Sequence, residues 1–181
     1  MVTIRHEAYT DGAAREALLD RTFGAARFRK TCEQLRRGRL PSPGLAFGAY
    51  DGDALVGTLR LWDIVAGSAG SELLLGPLAV APEMQGRGLG STLVRHAIHE
   101  AALSGHDAIL LVGDAPYYRR FGFSSGKVKG LRLPGPVVRS RFQGLELEKG
   151  VLAGATGLVM PAGGLVPAFA LHTDGQVKSV T

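Results

Sequence analysis

The sequence predicts an α/β (α+β) fold, and three observations carry that prediction. First, two apolar runs, Leu45–Tyr50 and Ala54–Ile64, flank Asp51-Gly52-Asp53, a strong hairpin turn signal. Second, Glu72–Val80 is an almost continuous apolar run, as expected of a strand buried on both faces. Third, Leu93, Val94, Ala97, Ile98 and Ala101 recur at helical spacing within Ser91–Leu103, and a further buried strand, Ala108–Val112, follows Gly105.

The other elements fall around these. Val2–Ala8 reads as a first strand. Asp11 then offers an N-cap before an amphipathic run with Ala14, Ala17, Leu18 and Phe23 near one face. A second helix is expected over Arg27–Arg37, ended by Pro41, Pro43 and Gly44, and Gly67–Ser71 reads as a loop. Gly76–Pro77 interrupts the buried run. Proline cannot donate to a ladder, so a bulge or a break in pairing is expected there. Pro116–Phe121 suggests a short helix. Phe123, Val128, Leu131 and Leu133 suggest further strands, and Leu145–Leu147 and Leu158–Met160 suggest late ones.

The chain has 181 residues and shows neither a repeat nor a dividing linker, so one domain over 1–181 is expected. The net charge of +5 favours an anionic partner. The cations are scattered apart from Arg36–Arg39 and Arg119–Arg120, which argues against a nucleic-acid binder. Cys32 is the only cysteine; it suits a reducing compartment and reads as a small apolar residue on a helix. No zinc-type spacing occurs, so no metal is expected, and the polar start lacks a signal peptide, so the expectation is cytoplasmic. Gly150–Leu171 carries no charge, but Gly154, Gly157, Gly163 and Gly164, with Pro161 and Pro167, break it, which suits strands and turns rather than a membrane helix.

The chemistry concentrates in Leu78-Ala79-Val80-Ala-Pro-Glu-Met-Gln85-Gly86-Arg87-Gly88-Leu89-Gly90-Ser91. A buried strand ends near Val80, three alternating glycines follow, and a helix begins. First-turn amides lack internal partners and sit at the positive end of the helix dipole, so together they form an anion site. Glycines let the backbone approach a bulky pyrophosphate, and Arg87 can add a charge-assisted contact. The simplest alternative is a glycine-rich turn that only starts a helix, which three glycines beside an arginine make less attractive. A Walker loop needs a lysine that Gly86–Thr92 lacks. A dinucleotide fingerprint fits loosely: Ser91 takes the third glycine's place, and Asp114 stands late as a ribose-binding acid.

Gln85-Gly-Arg-Gly-Leu-Gly90 resembles the Gln/Arg-x-x-Gly-x-Gly/Ala motif of the GNAT superfamily of N-acetyltransferases. Tyr117-Tyr118-Arg-Arg-Phe121-Gly122-Phe123 resembles the same superfamily's Tyr-x-x-x-Gly-Phe segment, in the matching order. Gly-Asp-Ala-Pro-Tyr-Tyr and the later Leu-Pro-Gly-Pro resemble a bacterial subgroup of acetyltransferases. The resemblance covers roughly residues 1–160. It implies a mixed, mostly antiparallel central sheet, flanked by helices and splayed after the cradle strand. Acetyl-CoA would lie in the gap as co-substrate, with its pantetheine arm along Leu78, Ala79 and Val80. Its pyrophosphate would sit on Gln85, Gly86, Arg87, Gly88, Leu89, Gly90 and Ser91.

Direct transfer to an amine needs a deprotonated nitrogen, a donor for the thioester oxygen and a proton for the leaving thiolate. By resemblance Tyr118 is the acid, the amide of Val80 or its neighbour is the carbonyl donor, and Tyr117 is structural or substrate-facing. The base is less determined: many relatives carry a glutamate within the cradle strand, where this chain has Leu73-Leu-Leu-Gly-Pro. Glu72, at the strand start, is the candidate through water, with Asp114 and His6 behind it. His96 and His99 are expected on the exposed side of their helix. The acceptor is a small-molecule or peptide amine, in a pocket expected from the first two helices and the loops near Gly67 and Gly126. The alternative is a non-catalytic acyl-CoA sensor on the same fold. The oligomeric state is open, a homodimer included.

Overall fold

The computed structural model describes residues 1–167. In chain order the elements are β1 (Val2–His6), α1 (Gly12–Phe23), α2 (Thr31–Arg36), β2 (Ala46–Asp51), β3 (Ala54–Ala66), β4 (Ser71–Leu75), β5 (Ala79–Val80), α3 (Leu89–Leu103), β6 (Ala108–Val112), α4 (Ala115–Arg119), β7 (Gly130–Arg132), β8 (Phe142–Glu146) and β9 (Thr156–Pro161). The strands form one mixed sheet in the order β1-β2-β3-β4-β6-β8, with helices on both faces. Only the β4–β6 and β7–β9 pairs are parallel.

β3 is the spine because it is the longest strand, at 13 residues, and carries two partners on each side. On one side β2 pairs with its first half and β9 with Ile64–Ala66. On the other, β5 pairs with Gly57 and Thr58, and β4 with Leu61–Val65. The expected strand over Glu72–Val80 is thus two strands along one edge of β3, parted at Gly76–Pro77–Leu78. Gly76 still donates its N–H to the Arg60 carbonyl at 2.8 Å. It has to be glycine on spatial grounds: a Cβ there would overlap the Trp62 indole nitrogen and come within 2.9 Å of the Arg60 oxygen.

Alternation along the strands divides the core between two faces. Leu73, Leu75, Ile109 and Leu111 join Phe47, Leu59, Leu93 and Ala97 in one cluster. Leu74, Ala108 and Leu110 join Leu35, Ile64, Leu131 and Phe142 in the other. α3 lies close on its face, since a Cβ at Gly57 would meet Leu93 at 3.0 Å. At the sheet edge Glu7 has a buried side chain that accepts from Arg60 Nε and Nη2 at 2.7 and 2.6 Å and from Arg15, tying β1, β3 and α1 together.

Several boundaries differ from expectation. β1 ends at His6. Asp11 precedes α1 but does not cap it: its carboxylate accepts instead from Ala8 N–H and Tyr50 O–H, at 2.7 and 2.6 Å. The predicted helix over Arg27–Arg37 splits into a 3-10 turn, Ala25–Arg29, and the short α2. Around Phe123–Leu133 only Gly130–Arg132 is a strand, and Ser125–Val128 is a 3-10 turn. His96 is half-buried, its ring edge-on to Phe47 at 4.7 Å, so only His99 takes the exposed side. The uncharged Gly150–Leu171 stretch forms turns and β9 as far as it is described, and residues 168–171 lie outside the described residues. Among the described residues no helix is long and apolar enough to cross a membrane.

Glu72, the base candidate through water, is closed off from solvent. It pairs with Ile64 on β3 and is 2% exposed, with Oε2 lacking any partner among the described residues. Burial raises its pKa to about 7; the Ala108 N–H opposes this and the nearby Asp107 charge adds to it. A carboxyl whose folded pKa lies above its unfolded value holds more protons in the native state between the two, so its contribution falls as pH rises through that window and then levels off. Urea unfolding at pH 5 and pH 8 checks this. Glu72→Gln should gain on the wild type by on the order of 3 kcal/mol between those pH values. An identical pH dependence in both proteins would remove the assignment.

Candidate functional site

β6 follows β4 through Leu73–Ile109 and Leu74–Leu110, but it has no ladder to β5. The sheet therefore opens beyond Leu75, and the gap continues into two adjoining cavities. One, of about 570 Å³, is lined by Leu75–Leu78, Val112–Asp114, Tyr118 and the segments Arg29–Glu33 and Pro136–Val138. The other, of about 490 Å³, is lined by Val80, Gln85, Gly86, Gly88–Ser91 and Arg120. Leu78, Phe23 and Tyr117 line both.

The edge of β5 offers free backbone to this gap. Ala81 N–H donates to Val56 O at 2.8 Å, and Val80 stands opposite Gly57. Neighbouring residues of an antiparallel strand present their polar groups to opposite sides, so Ala79 and Ala81 face β3 while Leu78 and Val80 face the gap. The Val80 carbonyl accepts from Gln85 Nε2 at 3.0 Å, and the Gln85 amide turns back to Pro82 O at 3.3 Å. Gln85 thus braces the turn between strand and helix.

The cradle is a backbone construction. A 3-10 turn, Pro82–Met84, leads to Gly86 and Gly88 at φ 75° and 80°. A Cβ at either would meet nothing within 4 Å, so glycine is needed there for conformation, not for space. Gly88 is the N-cap of α3 and has no side chain to satisfy the first-turn amides. The N–H groups of Leu89, Gly90 and Ser91 are thereby left for an external acceptor. At Gly90 the need is spatial: a Cβ would stand 3.0 Å from the Tyr117 hydroxyl. Arg87 lies outside the cradle cavity and reaches back to Met84. Arg120 lines the cavity and stacks over Tyr117 at 4.3 Å, a position that sequence spacing could not reveal because α4 and α3 meet only in the fold.

Tyr118 lies on the opposite wall. Asp114 caps α4 by accepting from Tyr117 N–H at 3.1 Å, which fixes the turn that delivers both tyrosines. Tyr118 packs edge-on to Tyr117 and Phe123, with centroids 4.9 and 5.8 Å away. Its ring fills the place of a side chain at Gly113, where a Cβ would overlap it. Burial, with smaller effects from Tyr117 and Asp114, pushes its phenol above the usual tyrosine range, so it carries its proton at neutral pH.

Other candidates stand elsewhere. Glu72 lines neither cavity: it lies at the far end of β4 from Leu75, about 10 Å along the strand. His6 is exposed beside Phe47. Asp114 lines the larger cavity, but its carboxylate is engaged in capping. Gly67 is covered by Thr156, and Gly126 lines a separate cleft, so the pocket wall comes from Pro136–Val138 and Arg141 instead. Cys32 lies on α2 and lines the larger cavity, its thiol pushed up by burial. Among the described residues no three His, Cys, Asp or Glu side chains gather as a metal site.

Gly113→Ala tests the placement of Tyr118. Overpacking should cost about 1–3 kcal/mol, read by urea unfolding, with a changed near-ultraviolet tyrosine signal. Wild-type stability and an unchanged signal would mean that the ring does not depend on the missing side chain.

Residues 11–123 match the Acetyltransferase (GNAT) family. The chain is 31% identical over 157 residues to the Escherichia coli protein described as uncharacterized N-acetyltransferase YhbS, covering 86% of this chain and 93% of that one. The crystal structure of Escherichia coli YhbS in complex with CoA superposes with a TM-score of 0.75 at 30% identity, covering 89% of both chains. A GNAT family acetyltransferase from Brucella melitensis in complex with acetyl-CoA gives a TM-score of 0.59 at 26% identity, covering 94% of this chain and 98% of that one. On this match of sequence and fold, the chain belongs to the GNAT family of acetyltransferases.

Proposed function

We propose that this protein is an N-acetyltransferase that moves an acetyl group from acetyl-CoA to an amine by direct transfer. The observation that carries it is the open gap between β5 and β6, with free amides at one end and a proton-bearing tyrosine at the other. The CoA and acetyl-CoA complexes of the two similar structures support the same ligand. The pyrophosphate rests on the amides of Gly86–Ser91 with Arg120 beside it, and Arg87 adds charge from outside. The pantetheine arm pairs with the free edge at Leu78 and Val80. Ala79 holds that edge to β3, and Gln85 braces it.

In the reaction the amine nitrogen, entering as the free base, attacks the thioester carbon. Leu78 N–H, which faces the gap in the cavity that Tyr118 also lines, donates to the developing oxyanion in place of the expected Val80, which lines only the cradle cavity. The C–N bond forms, the C–S bond breaks, and the thiolate takes the Tyr118 proton, which solvent restores. The attacking nitrogen loses its own proton to water. A second reading, an acyl-CoA sensor, is favoured by one observation: Glu72 does not reach the gap.

Acetyl-CoA at about a hundred times its Kd should stabilise the protein by about 2.7 kcal/mol, a rise in Tm of about 5–10 °C. No shift with any acyl-CoA sinks the proposal. Tyr118→Phe should bind acetyl-CoA as the wild type does while thiol release falls about a hundredfold or more. Binding without thiol release across an amine panel selects the sensor instead.

A further inference from the structure

From the charges lining the larger cavity we infer that the acceptor is an anionic amine, one that carries a carboxylate or phosphate in the same molecule. This deepens the transferase reading and rests on it. Five cations line the cavity, Arg27, Arg29, Lys30, Arg36 and Arg141, against two carboxylates, Glu33 and Asp114. Two of the cations are already neutralised. Arg27 is bound by Glu16 and Asp20 at 2.5 and 2.9 Å, and Arg36 by Glu33 at 3.0 Å. Asp114 is occupied as the cap of α4. Arg29, Lys30 and Arg141 have no carboxylate partner among the described residues, although Lys30 stacks on Phe23 at 4.7 Å.

The cofactor does not account for these three. Its phosphates belong at the cradle, where Arg120 stands, in the neighbouring cavity, which Arg29, Lys30 and Arg141 do not line. The three instead flank the point of transfer. Arg141 is anchored there by its carbonyl, which accepts from Gly113 N–H at 2.9 Å, and Gly113 is the residue on which the Tyr118 ring rests. Arg29 and Lys30 line the same cavity from the segment between α1 and α2. A polycationic acceptor would meet like charge on both walls. An amine tethered to an anion would place that anion between Arg141 and the Arg29–Lys30 pair, leaving its nitrogen toward the thioester.

The test uses the full chain saturated with CoA and matched pairs of amines. Free α-amino acids and short peptides are titrated calorimetrically against their C-terminal carboxamides, O-phosphoethanolamine against ethanolamine, and spermidine alone. The member of at least one pair that carries the carboxylate or phosphate should bind about tenfold or more tightly than the partner that lacks it, the strength of a charge-assisted contact. A preference in the carboxylate pairs or in the phosphate pair identifies which anion is read. Arg141→Gln and the double variant Arg29→Gln/Lys30→Gln, all at exposed positions, should each shrink that preference. Equal binding within every pair, tighter binding of spermidine, a preference that survives both variants, or no binding by any pair overturns the inference. Thiol release from acetyl-CoA with the same pairs reads transfer separately. Release without charge preference removes only the anionic acceptor, and charge-selective binding without release removes only the transfer.

Discussion

The site depends on the break in pairing at Gly76–Pro77. A strand can hold β3 on one side and β6 on the other only while both ladders continue. Here the ladder to β3 resumes at Ala79, while the ladder to β6 does not. Pro77 has no N–H to give, and Gly76 is held tight under Trp62 by its bond to Arg60. The polar groups of Leu78 and Val80 therefore face a cavity instead of a neighbouring strand. In most sheets such an edge is a liability to be covered. In this protein it is enclosed between helices and aromatic rings, where a ligand able to pair with it can satisfy it.

Glycines shape that gap for different physical reasons. Gly86 and Gly88 supply positive φ, which turns the chain so that amides rather than side chains line the start of α3. Gly90 and Gly113 supply space, the first for the Tyr117 hydroxyl and the second for the Tyr118 ring. The tyrosines are therefore held by absent side chains as much as by present ones. Asp114 completes the arrangement by capping α4, so the turn carrying both phenols starts at a defined residue. The charge of the walls is divided as well: Arg120 lines the cradle cavity, and Arg29, Lys30 and Arg141 line the cavity of Tyr118.

Much of the fold was legible in the sequence. The Asp51–Gly52–Asp53 hairpin, the breaker inside the buried run, the helix after the cradle and β6 all follow from local chemistry and periodicity. The segment from Phe123 to Leu133 was misread because Phe123 packs into the first core, and Val128 and Leu133 into the second, from turns and loops, with Leu131 alone in a paired strand. Glu72 was misread for a related reason: its sequence neighbours place it at a strand end, but β6 crosses that end and buries it. Asp11 fits an N-cap pattern, yet the Tyr50 hydroxyl, 39 residues away, claims its carboxylate.

The sequence by itself determined the cradle, the tyrosine turn and the family to which both belong. These are contiguous segments whose shape follows from backbone angles, turns and helix starts, quantities set by neighbours along the chain. Only the tertiary structure decided that Glu72 is remote from the gap, that Arg120 rather than Arg87 lines the cradle, and that Arg29, Lys30 and Arg141 line the cavity that Tyr118 lines. Each of these is a meeting of side chains from separate elements. Such meetings are set by strand order and by where a sheet opens, and no local pattern of residues encodes them.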